Sequence, residues 1–284
     1  MANELARNLI NAGVHFGHAA SRWNPKMKPY IYTKRGVIHI IDVKETLKGI
    51  IVAKKLLAQI VASGKDVVFV GTKRQAQKSV KAAAEQTGMH FITTRWLGGT
   101  LTNFSTINSR IKRLEELEKM NEDGSIEAES KKRASTLKRE LRKISANLGG
   151  IRNMNRVPGA IVVVDVKKEH LAVYEAKKMG VPTIGIIDTD SNPDCIDVAI
   201  PANDDSLKGI DLIVGQMIEA IQAGKTMARV NASAADGEKR PKTRRRSLAR
   251  ASEDAQETEA TPAAAETTPE AETTAAPVEP TPEA

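Results

Sequence analysis

One cysteine in 284 residues leaves Cys195 with neither an internal disulfide partner nor a second thiol for a zinc clip, as suits a reducing, cytoplasmic setting. No stretch approaches the roughly 18 apolar residues of a membrane span. The opening MANELARNLINAGVHFGH lacks a basic start followed by an apolar core, so no secretory leader is expected. Bulky apolar residues almost vanish after Val230, and bases are missing from 251 to 284, where nine acids stand. Such a segment cannot bury enough surface to offset its ordering entropy, so residues 231–284 are expected to be a disordered tail, first basic (RPKTRRRSLAR) and then acidic.

Positive charge is what the chain has in excess. The whole sequence carries +8, its 231–250 segment +5 and its 251–284 segment −9, which leaves +12 on residues 1–230. A folded body that basic suits a polyanionic partner, because neutralised phosphates release condensed counterions; simple solubility is the other reading.

Short apolar runs at 37–41, 67–70, 90–93, 160–164 and 183–187 are bounded by Gly, Asp or Pro, as buried parallel strands are. Helical patterns fill 44–62, 73–87, 168–179 and 207–223. The expected class is α/β, a three-layer sandwich around a mostly parallel sheet of the flavodoxin or Rossmann kind. It is discontinuous, covering residues 1–102 and 156–230. Residues 103–155 read as an inserted antiparallel coiled-coil hairpin. Phe104, Ile107, Ile111 and Leu114 form one apolar seam, and Ala134, Leu137, Leu141, Ile144 and Leu148 form the other beyond an NEDGS break. The exposed positions hold Lys112, Arg113, Lys131, Lys132, Arg133, Lys138, Arg139, Arg142 and Lys143, either a solvated face or one that meets phosphate.

Enzyme chemistry finds little footing. Val70-Gly71-Thr72-Lys73 follows a strand but lacks the glycine spacing of a phosphate loop. His15 and His18 lie three apart without a third ligand nearby, and Gly13 and Gly17 oppose a helix there, so structural or RNA-contacting histidines are favoured over a metal pair. Asp188, Asp190, Asp204 and Asp205 read either as a hard-cation set or as turn and capping residues, with Asp205 or Ser206 preceding a helix near Leu207. The rival function is a nucleotide- or sugar-phosphate-binding enzyme of the same sheet class.

SRWNPKMKPYIYTKRG is more informative. It sets Arg22, Lys26, Lys28, Lys34 and Arg35 among Trp23, Tyr30 and Tyr32, while Pro25 and Pro29 keep the chain extended. Cations attract phosphate, and flat rings either stack on splayed bases or pack beneath the loop. TRWLGGTLTNF likewise places Arg95 and Trp96 before a Gly98-Gly99 hinge.

With these residues the segments AGVHFGHAASRWNPKMKPYI, FVGTKRQA, RWLGGTLTNF, GGIRNMNRVPGAIVVVDVKKEH and VPTIGIIDTDSNPD resemble the small-subunit ribosomal protein S2 family, in order across about residues 3 to 228. The resemblance implies a non-catalytic protein that binds small-subunit ribosomal RNA near the junction of head and body, contacts neighbouring ribosomal proteins and helps dock the large messenger-binding protein S1. It implies no enzyme activity, cofactor, metal, membrane or homo-oligomer, and a ribosomal, cytoplasmic location. The expected RNA-binding residues are Arg22, Trp23, Asn24, Lys26, Lys28, Lys34, Arg35, Lys73, Arg74, Arg95, Trp96 and Asn103, followed by Arg152, Asn153 and Arg156. One departure stands out: Asp190 and Asn192 exchange the amide and the acid of the family's D-T-N-x-D-P pattern.

Overall fold

Residues 67–70 and 160–164 are apolar at every position, so they can be buried only with cover on both faces. In the computed structural model, which describes residues 2–238, they form the middle of a five-stranded parallel sheet. The strands are β4 (Val67–Val70), β5 (His90–Ile92), β6 (Ala160–Val164), β7 (Thr183–Ile187) and β8 (Val198–Pro201), in the order β5-β4-β6-β7-β8. Alternation divides the side chains between two cores. Val67, Phe69, Val162, Val164 and Ile184 face helices α2 (Val43–Ala62), α3 (Gln77–Thr87) and α8 (Leu207–Glu238). Val68, Val70, Ile161, Val163 and Ile187 face Met27, Trp96, Leu101 and helix α7 (His170–Met179). The α/β class with a parallel sheet between helical layers is as expected.

Several boundaries differ. The run at 37–41 is no part of the parallel sheet. It forms β3 (Ile38–Ile41), which pairs antiparallel with β1 (Phe16–Ala19) and β2 (Ile31–Arg35) in a separate three-stranded sheet. Its Ile38 is exposed, as one solvated face allows and a central parallel strand does not. Strand β8 ends at Pro201 on the sheet edge, where a missing N–H costs nothing, and its short VAIP run was too weak to read. The helix expected from Lys73 starts at Gln77, since residues 73–76 form a turn. Helix α8 runs past Val230 to Glu238, so the tail's expected boundary falls too early; Ala232, Ala234 and Ala235 are strong helix formers. The expectation of disorder for 239–284 lies outside the described residues.

Between β5 and β6 the chain makes α4 (Phe104–Glu122), the short α5 (Ser125–Ala128) and α6 (Lys131–Leu148). Ile107, Ile111 and Leu148 join the core beneath the sheet, while Leu117, Ile126 and Leu137 close a small core of their own at the far end. Helices α4 and α6 therefore run back along each other. Gly150 seats their base on β5, where a Cβ would fall 2.1 Å from the Phe91 carbonyl oxygen.

Candidate nucleic-acid interface

The basic N-terminal segment is pinned from below and free above. Asn24 caps a 3-10 turn, Pro25–Tyr30, by accepting from the Lys26 N–H at 3.0 Å. Met27 points inward from that turn and is wholly buried. Lys26 and Lys28 project outward, but Lys26 is bound to the Asp194 carboxylate, which raises its pKa. Lys34 and Arg35 end β2 at a turn where Gly36 takes a φ of +62°. Arg22, Lys28, Lys34 and Arg35 are exposed and form no ion pair among the described residues. Trp23 is half-buried against the His39 ring, centroids 5.2 Å apart, so it buttresses the segment.

The second basic element is organised by a carboxylate that sequence reading missed. Glu175 of α7 accepts hydrogen bonds from the N–H groups of Gly99 (2.8 Å), Leu101 (3.0 Å) and Thr102 (3.2 Å) and from the Trp96 indole N–H (3.2 Å). Burial pushes its pKa up, yet these donors prevail and hold it below the ordinary carboxylate range. Trp96 is only 4% exposed and cannot stack on a base. Gly99 turns with a φ of +90°, and Asn103, at the start of α4, accepts from the Thr106 hydroxyl at 2.9 Å without capping a helix N–H. Arg95 and Asn103 stay exposed. In the sequence Glu175 looks like an ordinary charge on a helix; only its opposition to a loop 73 to 76 residues away reveals it.

The carboxyl ends of the strands, where ligands of such sheets bind, are occupied by the protein's own charges. The Lys73 ammonium lies 2.8 Å from Asp204, 2.6 Å from Asp205 and 3.7 Å from Asp165. Burial lowers its pKa, but the bonds to Asp204 and Asp205 outweigh that and leave it raised. Lys73 is thus turned inward, onto these three carboxylates. Burial pushes the Asp204 carboxyl up to about 7, against the pull of Lys73 and with the push of Asp165 and Asp188. His18 on β1 places Nδ1 2.7 Å from Asp188, and that bond raises its pKa to about 9. His15 instead packs on Phe16, so the two histidines do not act as a pair. Ligand atoms of His18, Asp188 and Asp204 lie within 4.8 Å of one another, close enough for one cation. Capping falls to Ser206, whose hydroxyl accepts from the Gly209 N–H at 3.2 Å.

The family model described as Ribosomal protein S2 matches residues 9–224. The chain belongs to the ribosomal protein S2 family. It is also similar to the small ribosomal subunit protein uS2 of Rhodopirellula baltica, 51% identical over 239 residues, covering 83% of this chain and 92% of that one.

The remaining candidates of this S2-family chain are spread apart. Arg74 is exposed at the turn before α3. Arg152 pairs with Glu118 at 2.7 Å and Glu115 at 3.7 Å, which anchors the end of the helical insertion to α4. Arg156 bonds the Gly64 carbonyl and lies 3.7 Å from Asp66, whereas Asn153 is exposed. The exchanged pair in the DTDSNP segment has partners of its own. Asp190 holds Lys167 at 2.9 Å, and Asn192 caps the Pro193–Cys195 turn by accepting from the Asp194 N–H at 3.2 Å.

Proposed function

We propose that this chain is a structural, non-catalytic constituent of the small ribosomal subunit, held on ribosomal RNA by its basic loops. Its place of work is the ribosome in the cytoplasm. The observation that carries this reading, beside membership of the S2 family, is the set of exposed cations Arg22, Lys28, Lys34 and Arg35, which form no ion pair among the described residues. Lysines and arginines so placed meet phosphate and sugar, with Arg74, Arg95, Asn103 and Asn153 as further contacts. Trp23, Asn24 and Trp96 act beneath them as supports. Residues 103–155 serve as a single coiled-coil arm inserted into the discontinuous α/β domain. Neighbouring small-subunit proteins, the messenger-binding protein S1 among them, contact the remaining surface.

Sedimentation of cell extract tests this reading. The protein should travel with the small subunit and stay bound through a moderate salt wash. A pool that is chiefly free of ribosomes at low salt is the opposing result.

A further inference from the structure

The helical insertion is electrically lopsided. Helix α4 carries four bases and four acids, whereas α6 carries seven bases and the single acid Glu140. Ion pairing does not even this out. Arg133 pairs with Glu129 at 3.5 Å and Lys138 with Glu127 at 2.9 Å, while Glu140 lies 3.8 Å from Arg113 of α4. Lys131, Lys132, Arg139, Arg142 and Lys143 are all exposed and have no carboxylate partner among the described residues.

At 3.6 residues per turn these five fall within an arc of about 120°. The apolar seam of Ala134, Leu137, Leu141, Ile144 and Leu148 occupies the opposite side of the helix. Inside the arc stand only Ser135 and Ala146, both small and exposed, so nothing bulky holds a ligand away from the cations. The stripe runs about 18 Å along the helix at 1.5 Å per residue. It contains no apolar side chain larger than alanine, which disfavours a protein partner, whose interface needs an apolar core. Nucleic-acid interfaces are by contrast dominated by Lys and Arg on phosphate.

We propose that this outer face of α6 is a second RNA-docking surface, which follows the sugar-phosphate backbone of structured RNA without reading its bases. The inference rests on the RNA-binding reading above and extends it to five residues outside the basic loops. Two separate platforms on one folded unit, Met1–Glu238, would fix the orientation of RNA as well as its affinity.

The test uses the full chain and a transcript of small-subunit ribosomal RNA, with affinity measured as salt is raised. Combining Lys132→Gln, Arg139→Gln and Lys143→Gln should flatten the plot of log affinity against log salt by about two to three units. The charge-preserving set Lys132→Arg, Arg139→Lys and Lys143→Arg should keep the wild-type slope, which separates charge from any loosening of the helix. An unchanged slope in the glutamine variant overturns the inference while leaving the RNA reading intact. So does a glutamine variant that keeps its slope yet no longer stays on the subunit, because the face would then meet a protein. A wild-type chain that ignores the transcript overturns the RNA reading itself, and this surface with it.

Discussion

The His18 imidazole lies 2.7 Å from the Asp188 carboxylate, a bond that latches β1 of the antiparallel sheet to the end of β7 in the parallel one. His18 and Asp188 are 170 residues apart, so the latch ties the chain's basic N-terminal segment to the main core. Gly17 leaves room for it, since a Cβ there would sit 2.5 Å from the Thr189 methyl carbon.

That latch should be sensitive to pH. The His18 pKa rises from 6.5 to about 9 on folding, so the folded state binds the extra proton and the contribution is complete below pH 6.5. It fades as pH climbs toward 9. The stability difference between wild type and His18→Gln, from urea unfolding, should therefore shrink steadily over that range. Asp204 acts in the same sense at lower pH, because its folded pKa of about 7 exceeds its ordinary 3.8. A wild-type advantage that stays constant from pH 6 to 9 would refute the latch.

Exposed and committed cations should behave differently toward RNA. Lys34→Ala combined with Arg35→Ala removes two free charges and should flatten the salt dependence of RNA affinity by about two units. Lys26→Ala should change it less, since Lys26 already holds Asp194. Equal effects from all three positions would mean that the Asp194 pair opens on binding.

Glu175 offers a test of how the RWLGG loop is held. Glu175→Gln keeps one acceptor oxygen and turns an NH2 group toward buried N–H donors, which should cost roughly 2–3 kcal/mol. Amide exchange at residues 99–102 should quicken most. The Glu175 pKa is lowered in the fold, so its contribution is present above pH 4.5 and is lost as pH falls through the lower folded value. Uniform loosening of the whole chain, with no excess at that loop, would count against this organising role.

Where local pattern and final environment agree, the sequence is a good guide. The runs at 67–70, 160–164 and 183–187 are apolar throughout and become central strands. Ser206 sits where capping chemistry puts it, whereas Pro25 and Pro29, expected to keep the chain extended, lie within the 3-10 turn Pro25–Tyr30, because a fixed φ near −65° suits a turn as well as an extended segment. Ile38–Ile41 misled because an apolar run of four looks alike in a parallel sheet and in a half-solvated antiparallel one. The site was harder still. Arg22, Lys34 and Arg74 are exposed and form no ion pair among the described residues, but Lys73 looks identical in one dimension and is claimed by carboxylates 92 to 132 residues downstream. Glu175 carried no local signal, for its partners are backbone N–H groups of a distant loop.

Lys73 gives the sharpest contrast between a structural and a binding cation. Its ammonium is the common partner of Asp165, Asp204 and Asp205, and the side chain is only 16% exposed. Lys73→Met keeps the length of the side chain while leaving those carboxylates without a counter-charge. Removing one partner of a fully buried set costs about 3–5 kcal/mol; with Asp205 half exposed to solvent, the loss here should fall below that range. Lys73 lowers the Asp204 pKa, so without it Asp204 binds a proton more readily than in the wild type, and the loss should shrink as pH falls from 8 to 5 and that unpaired charge is neutralised. Folded variant measured at pH 5 should retain the wild-type salt slope for RNA, because this lysine does not reach phosphate. A full-strength fold with a flattened slope would reverse the assignment and place Lys73 in the RNA contact.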